Sequence, residues 1–221
     1  MSHFAVSDRK RVYLDYSAMA PIDSAVLRTM LPYFDRRFCN PSSLHENGRR
    51  SREAIEAARA RVAETIGARP QEIIFTGSGT ESDNLALFGA ARANRARGDH
   101  IIISAVEHKA VLHAAEALAK EGFQITVLPV NSYGRIDVGT CLAAVTEKTM
   151  LISLMYVNNE LGTVEPVREL AEALKARRRG KFPLLHTDAC QASNLFSLNV
   201  KELGVDLMTV NSSKIYGPTG G

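Results

Sequence analysis

The sequence is poor in cysteine and in long apolar runs. Its three cysteines, Cys39, Cys141 and Cys190, are odd in number and widely spaced. That pattern argues against a disulfide framework and a CxxC metal site, so we expect reduced thiols and predict no metal. No apolar run approaches the ~18 residues of a membrane span, and no apolar signal-peptide core follows the start, so we expect a cytoplasmic protein without a membrane partner.

An excess of one charge is also missing. The 27 Lys and Arg residues against 24 Asp and Glu residues give a net charge of +3, which is too small to indicate direct nucleic-acid binding. The densest basic run, residues 175–181, falls where a predicted helix ends, a place that the helix dipole makes favourable for cations. The chain has no internal repeat or Pro/Ser-rich linker, so a single large globular domain is predicted from its composition.

Short β-rich runs alternate with helix-like stretches along the chain. After a strand-like segment at 12–14, predicted strands lie at 72–76, 100–104, 124–130, 150–156, 183–187 and 205–210. Predicted helices lie at 46–66, 80–97, 108–121, 138–146 and 166–178. This alternation predicts an α/β fold with a mostly parallel central sheet and flanking helices, because parallel neighbours need crossover helices. Ligands on such sheets bind beyond the carboxyl ends of the strands.

The stretch IIFTGSGTES, residues 73–82, runs from a predicted strand through small residues into a helix. Free N–H groups at a helix start, together with the helix dipole, form an anion site, so Gly79 and Thr80 are candidates to bind a phosphate. The stretch is neither a Walker A loop nor a GxGxxG fingerprint. A plain capped turn, with Ser78 or Gly79 at the cap and Glu81 in the first turn, explains it equally well.

Chemically useful side chains also follow the later predicted strands, namely His108, Asn159, Asp188, Gln191 and Lys214. Each alone has an ordinary explanation as a cap, a turn residue or a flexible surface lysine. Together they supply a histidine, amides, an aspartate that can pair with a protonated ring nitrogen, and a lysine that can form a Schiff base. With a phosphate site, this set matches the needs of pyridoxal 5′-phosphate (PLP), which we predict as the cofactor.

These residues belong to motifs that resemble those of the cysteine desulfurases of the class V aminotransferase group, the NifS/IscS-like enzymes. The motifs are YLDYSA (13–18), NPSSLH (40–45), TESDN (80–84), EHKAV (107–111), NNELG (158–162), DACQ (188–191) and SKIYGP (213–218). The resemblance implies a homodimer with the aspartate aminotransferase fold, fold type I of the PLP-dependent transferases. It implies an N-terminal segment, residues 1–15, that packs with a small domain, and a PLP-binding large domain, residues 16–221, that is incomplete at its C-terminus.

The resemblance also implies catalytic roles for Lys214 and His108. Lys214 would hold PLP as a Schiff base and then move the α-proton of the substrate. His108 would stack on the ring, and Asp188 would pair with the ring nitrogen. The backbone amides of Gly79 and Thr80, with the Thr80 hydroxyl, would bind the phosphate.

Four further residues complete the implied cofactor site. Asn159 and Gln191 would contact the region of the phenolic oxygen. Ser213 replaces a histidine that many family members have, and Asn211 replaces a common phosphate-binding serine. Because a serine can still donate to the phosphate, we expect an altered affinity for PLP rather than its loss.

The implied function is the conversion of L-cysteine to L-alanine, with sulfur passed to an enzyme cysteine for iron–sulfur cluster synthesis or tRNA thiolation. A sulfur-acceptor protein, such as an iron–sulfur scaffold, is the implied partner. Family members carry the catalytic cysteine in a later region, and none of the three cysteines here matches its position, so full activity of this chain is not expected. Two alternatives stay open: another class V enzyme, such as a selenocysteine lyase or an aminotransferase, and a non-catalytic remnant.

Overall fold

The computed structural model describes residues 12–177, 180 and 182–219. Most of the predicted N-terminal segment, residues 1–15, lies outside the described residues. The last residue of the predicted helix 166–178 and part of the basic run 175–181 lie outside them too. The division of the chain at residue 15 therefore stays a prediction.

The described residues include five parallel strands in one sheet: β1 (His100–Ser104), β2 (Gln124–Leu128), β3 (Thr149–Ser153), β4 (Leu184–Asp188) and β5 (Leu207–Thr209). Their order is β2-β1-β3-β4-β5, and every neighbouring pair is parallel. The α/β prediction is confirmed. The chain leaves β1 toward one edge for β2 and then returns to the other side of β1 for β3, which creates a crevice at the carboxyl ends of β1 and β3 where ligands of such sheets bind.

Helices cover both faces of this sheet or precede it: α1 (Ser24–Met30), α2 (Pro32–Asp35), α3 (Glu46–Ile66), α4 (Gly79–Ala93), α5 (Lys109–Lys120), α6 (Val138–Ala144), α7 (Val167–Lys175) and α8 (Val200–Leu203). The predicted helix 46–66 is confirmed at both ends, and its C-cap Gly67 has the left-handed φ of 70° that favours glycine. The predicted helix 80–97 is too long, because α4 ends at Ala93 and a 3₁₀ turn follows over Arg95–Arg97. The sequence did not predict α1, α2 or α8.

Two predicted strands were wrong. Residues 73–76 are extended, but in the described part of the chain they pair with no strand, and Pro70–Glu72 is a 3₁₀ turn. Ile74 is 69% exposed, and Phe75 packs under the Arg59 guanidinium instead, 4.8 Å from its ring centroid. The segment 12–14 is not a strand either. β-forming residues were present in both segments, but a strand also needs a hydrogen-bonding partner.

Alternate residues of β1 enter opposite cores. Ile101 and Ile103 pack with α4 and α5, whereas Ile102 packs with Leu170 of α7 on the other face. Each of these side chains is at most 2% exposed, and burying an aliphatic side chain of this size contributes about 1.5–3 kcal/mol. This packing fixes the positions of the strand ends. In the part of the chain that the structure covers, no helix combines the length and apolarity needed to cross a membrane.

Candidate active site

A cavity of about 660 Å³ opens at the carboxyl edge of the sheet. It is lined by all nine residues that the sequence predicted for the site: Gly79, Thr80, His108, Asn159, Asp188, Gln191, Asn211, Ser213 and Lys214. Parallel strands bring their carboxyl ends to one edge, which explains how residues from the loops after β1, β3, β4 and β5 meet there. The N-terminus of α4 adds Gly79 and Thr80. The structure thus gives the predicted residues a common location, while their roles stay predictions.

The start of α4 forms one end of the cavity. Ser78 is the N-cap, and its hydroxyl accepts a hydrogen bond from the Glu81 amide at 3.1 Å. The first intrahelical bond runs from the Ser82 amide to the Ser78 carbonyl, so the amides of Gly79 and Thr80 precede it. The capped-turn explanation is therefore correct at Ser78, and the same geometry leaves the amides of Gly79 and Thr80 without an intrahelical partner.

A side chain at position 79 would be crowded by two neighbouring side chains. A Cβ atom there would lie 3.1 Å from the Asn211 side-chain nitrogen and 3.2 Å from the Cys190 sulfur. Both distances are tighter than ordinary van der Waals contact. The backbone at the helix start can therefore approach a ligand closely, without a side chain in between.

Loops after β1 and β3 present His108 and Asn159. His108 caps α5, and its Nδ1 accepts a hydrogen bond from the Ala110 amide at 3.1 Å, while the ring stays exposed at the cavity. The neighbouring Asn158 is buried and donates to the Val106 carbonyl at 2.8 Å, which ties the two loops together. Asn159 is half-buried on this fixed turn.

Asp188 ends β4 and is 6% exposed. Its Oδ1 accepts a hydrogen bond from the Cys190 amide at 3.0 Å. A buried carboxylate is costly unless a cation or a donor meets it, so this side chain is suited to a positively charged ligand group. Gln191, three residues on, donates from Nε2 to the Ser17 carbonyl at 2.8 Å.

Lys214 is half-buried in a 3₁₀ turn, Ser212–Lys214, and is not a flexible surface residue. Its Nζ donates to the carbonyl oxygens of Ser17 at 2.9 Å and Ala18 at 2.6 Å. The turn that follows needs glycine, because a Cβ on Gly217 would lie 2.7 Å from the Ser212 Cβ. Sequence reasoning missed the part that residues 17 and 18 play at the site, since backbone carbonyls leave no signal in the sequence.

Asp83 is a second carboxyl group at the cavity that sequence reasoning missed. It is 1% exposed, and its Oδ1 has no hydrogen-bond partner among the described residues. Burial, and then the charge of Asp188, raise its pKa above the ordinary carboxyl value. It follows Thr80 by three residues on α4, a spacing that puts both on one helix face and could have revealed it.

Ligand atoms of Asp83, His108 and Asp188 lie within 4.8 Å of one another. Such a grouping is also compatible in distance with a metal ion, which the cysteine pattern of the sequence did not indicate. The two carboxyl groups are buried and the histidine is exposed, so the cluster lies at the floor of the cavity, with its imidazole toward solvent.

Two further buried titratable groups lie behind the cavity. Glu107 accepts hydrogen bonds from the Ser104 hydroxyl at 2.7 Å and the Met155 amide at 2.9 Å, and burial raises its pKa to about 8. His186 is fully buried between the hydroxyls of Ser153 and Thr209, and burial lowers its pKa to about 4. The His186 ring is therefore neutral at physiological pH and supplies no cation to the carboxyl groups.

Of the three cysteines, Cys190 lines the cavity. Burial, and then the charge of Asp188, raise the pKa of its thiol well above the usual range. Cys141 is fully buried in the core, where burial raises its pKa to about 12, and Cys39 lines a separate groove beside Tyr33. A thiol must ionise to act as a strong nucleophile, so neither Cys190 nor Cys141 is activated.

Known proteins match this chain along most of its length. The family model described as aminotransferase class-V matches residues 12–220. A putative cysteine desulfurase IscS 1 of Bacillus subtilis (strain 168) is 46% identical over 211 residues, which are 96% of this chain and 55% of that protein. A cysteine desulfurase IscS of Dictyoglomus turgidum is also 46% identical, over 96% of this chain and 53% of that protein.

Solved structures give the same result. A structure titled SspA in complex with cysteine matches with a TM-score of 0.89 and 35% identity, over 95% of this chain and 59% of that one. A structure titled NifS-like protein matches with a TM-score of 0.89 and 35% identity, over 95% of this chain and 57% of that one. The chain thus spans between half and three-fifths of the length of these relatives.

Proposed function

Because the chain belongs to the class V aminotransferase family, we propose that its cavity binds PLP and serves a cysteine desulfurase that converts L-cysteine to L-alanine. The observation that carries the proposal is the meeting of an anion site at Gly79 and Thr80, the buried Asp188 and the amino group of Lys214 in one cavity. The relatives named cysteine desulfurase favour this activity over others of the family.

The residues of the cavity fit the chemical groups of PLP. The start of α4 suits the phosphate, and the buried Asp188 suits a protonated ring nitrogen. The absence of a side chain at Gly79 keeps the helix start open to the ligand. When bound, PLP supplies an aldehyde that condenses with amines and a ring that accepts electrons.

The side chains predicted for the site then have defined tasks. Lys214 holds the cofactor through Nζ and afterwards carries the proton to and from the α-carbon of the substrate. Asp188 keeps the proton on the ring nitrogen. The exposed ring of His108 covers the cofactor, and its orientation is fixed by the Ala110 amide.

The remaining polar residues orient the bound group. Asn159 and Gln191 would hold the phenolic oxygen region with their amides, and Asn211 and Ser213 would complete the phosphate site beside α4. Asn211 is itself fixed, because its Oδ1 accepts a hydrogen bond from the Ser213 amide at 2.9 Å.

The substrate, acceptor and assembly belong to the same proposal. L-cysteine gives up its sulfur to an enzyme thiolate, and the sulfur then passes to an acceptor protein for iron–sulfur clusters or thiolated tRNA. A homodimer and a cytoplasmic location are further parts of the proposal that follow from the family.

The decisive test is to trap the cofactor on its lysine. Purified chain mixed with PLP should show a visible absorbance band, and borohydride should attach a pyridoxyl group to Lys214 that peptide mass spectrometry locates. Lys214→Ala should lose both signals, because Lys214 is the lysine that lines the cavity among the described residues.

Lys201→Ala is the matched control, since Lys201 is an exposed lysine of α8 that does not line the cavity. It should keep the band and the label on Lys214. A band that survives in Lys214→Ala, or a label spread over surface lysines, would contradict the proposal.

A further inference from the structure

Asp83 lies beside Asp188, and none of the tasks above uses it. We propose that Asp83 is a positioning residue that keeps its own proton and donates a hydrogen bond to Asp188, so that Asp188 alone carries the negative charge facing the ring nitrogen. This inference rests on the proposed function for the identity of the ring.

The first argument is the short distance between the carboxyl groups of Asp83 and Asp188. Carboxylate oxygens of Asp83 and Asp188 lie within 4.8 Å of each other. Asp83 is 1% exposed and Asp188 is 6% exposed. Two carboxylates this close and this dry do not both ionise, so the pair keeps one proton.

The hydrogen bonds decide which member keeps the proton. Asp188 Oδ1 accepts the Cys190 amide, and a bond of this kind favours the ionised form. Asp83 Oδ1 has no donor among the described residues, and burial is the largest cause that raises its pKa. The proton therefore resides on Asp83 and the charge on Asp188.

Titratable groups on the surrounding elements support this charge state. His186 of β4 is neutral, and its Nε2 lies 3.7 Å from Asp83 Oδ1, so the contact is not an ion pair. Glu107, which follows β1, is a further carboxyl group with a raised pKa. Cys190 is a protonated thiol, and the Lys214 amino group is engaged with carbonyl oxygens.

The His108 ring completes the surroundings of the pair from the start of α5. Its Nδ1 accepts a hydrogen bond from the Ala110 amide at 3.1 Å, which sets the orientation of the ring. A single negative charge is then left to meet the single positive charge of a protonated ring nitrogen. The hydrogen bond from Asp83 also fixes the direction of the Asp188 carboxylate. Residues that hydrogen-bond to metal ligands orient those ligands in the same way.

Two substitutions of similar size distinguish the loss of a hydrogen-bond donor at position 83 from a change in packing there. Asp83→Asn keeps a donor to Asp188, so its Kd for PLP should stay within about threefold of wild type. Asp83→Leu removes the donor and should weaken PLP binding by about tenfold or more. The absorbance of bound PLP should keep the wild-type pH profile in Asp83→Asn and shift in Asp83→Leu.

Glu107→Gln is the matched control, because Glu107 is an equally buried acid that does not line the cavity. Its Kd for PLP should stay close to that of wild type. Equal binding by Asp83→Leu and wild type would overturn the inference, as would Asp83→Asn binding as weakly as Asp83→Leu.

A measurement without PLP tests the proton directly. A raised carboxyl pKa stabilises the fold at low pH, and this contribution is lost as the pH rises. Urea unfolding at about pH 5 and pH 9 gives the folding constants of wild type and Asp83→Asn. The ratio of the wild-type constant to that of the variant should fall roughly tenfold or more as the pH rises. A ratio that does not change with pH would mean that Asp83 is ionised throughout and would overturn the inference.

The two sets of results distinguish the two claims. Wild-type protein that binds no PLP contradicts the proposed function, and the unfolding series still decides whether Asp83 holds a proton. If wild type binds PLP through Lys214 while Asp83→Leu changes neither affinity nor spectrum, the proposed function stands and the positioning role fails.

Discussion

Lys214 depends on residues almost two hundred positions away in the chain. Its Nζ donates to the carbonyl oxygens of Ser17 and Ala18, and Gln191 donates to Ser17 as well. The segment around residue 17 therefore closes the cavity over the lysine. Residue type alone predicted the lysine, but backbone carbonyls of any residue type can hold an amino group, so these partners could not be predicted.

Buried acids are the other feature of the site at the scale of single residues. Glu107→Gln should remove a pH dependence of stability. The pKa of Glu107 rises from an ordinary 4.5 to about 8 on burial, so its stabilising contribution is complete below about pH 4.5 and is lost as the pH rises to about 8. At about pH 9 the variant should be more stable than wild type by roughly 1–3 kcal/mol in urea unfolding.

Near pH 4 the two proteins should differ little, because the wild-type side chain is then neutral as well. Asp137→Asn is the control, because it also removes a carboxyl group. In this case hydrogen bonds from Thr140 lower the pKa of the carboxyl group. Relative to wild type, that variant should lose stability as the pH rises through the carboxyl range, which is the opposite sign. Equal stability of Glu107→Gln and wild type at high pH would contradict the raised pKa.

Among the elements, α4 contributes to the cavity through its N-terminus and through the face that bears Asp83. Ser78→Ala should cost about 1 kcal/mol of unfolding free energy, because the Glu81 amide loses its cap. The same change should weaken binding of PLP several-fold, since the cap fixes the direction of the Gly79 and Thr80 amides.

Asp137→Ala is the comparison for this prediction. Asp137 caps α6 through the Thr140 amide at 2.7 Å and does not line the cavity. It should lose a similar free energy of unfolding and keep the affinity for PLP. Equal effects of the two variants on PLP binding would show that the α4 cap has no special part in it.

The strands show where local patterns were sufficient. β1 and β3 are buried along their whole length, and continuous apolar runs of this kind are typical of parallel strands covered on both faces. Their positions were predicted to within a few residues. Residues 73–76 have a similar composition but no partner in the described chain, and pairing is a non-local property that composition does not encode.

At the scale of the whole molecule, the chain covers about half of each curated relative it matches. Within this chain, Cys190 is the cysteine that lines the cavity, and its thiol is held protonated by burial and by Asp188. Transfer of sulfur from L-cysteine to an enzyme thiol needs a thiolate at the cavity. Neither Cys141 nor Cys190 therefore supplies an activated thiolate for this sulfur transfer.

PLP-loaded chain supplied with L-cysteine should consequently release sulfide and alanine at least about a hundredfold more slowly than the Dictyoglomus turgidum relative under the same conditions. Cys190→Ala should not slow it further, because the thiol is not ionised. Turnover comparable to the relative, or its loss in Cys190→Ala, would assign a catalytic role to a thiol that the structure keeps neutral.

By itself the sequence determined the alternation of strands and helices, and with it the parallel sheet and the side chains that follow each strand. These depend on periodicity, turn residues and the rule that parallel strands end at one edge, all of which are local or topological. Only the tertiary structure decided that Asp83 lies beside Asp188, that His186 is neutral and that residues 17 and 18 hold Lys214. Those facts depend on distances between distant segments and on exclusion of water, which packing sets and no short stretch of sequence records.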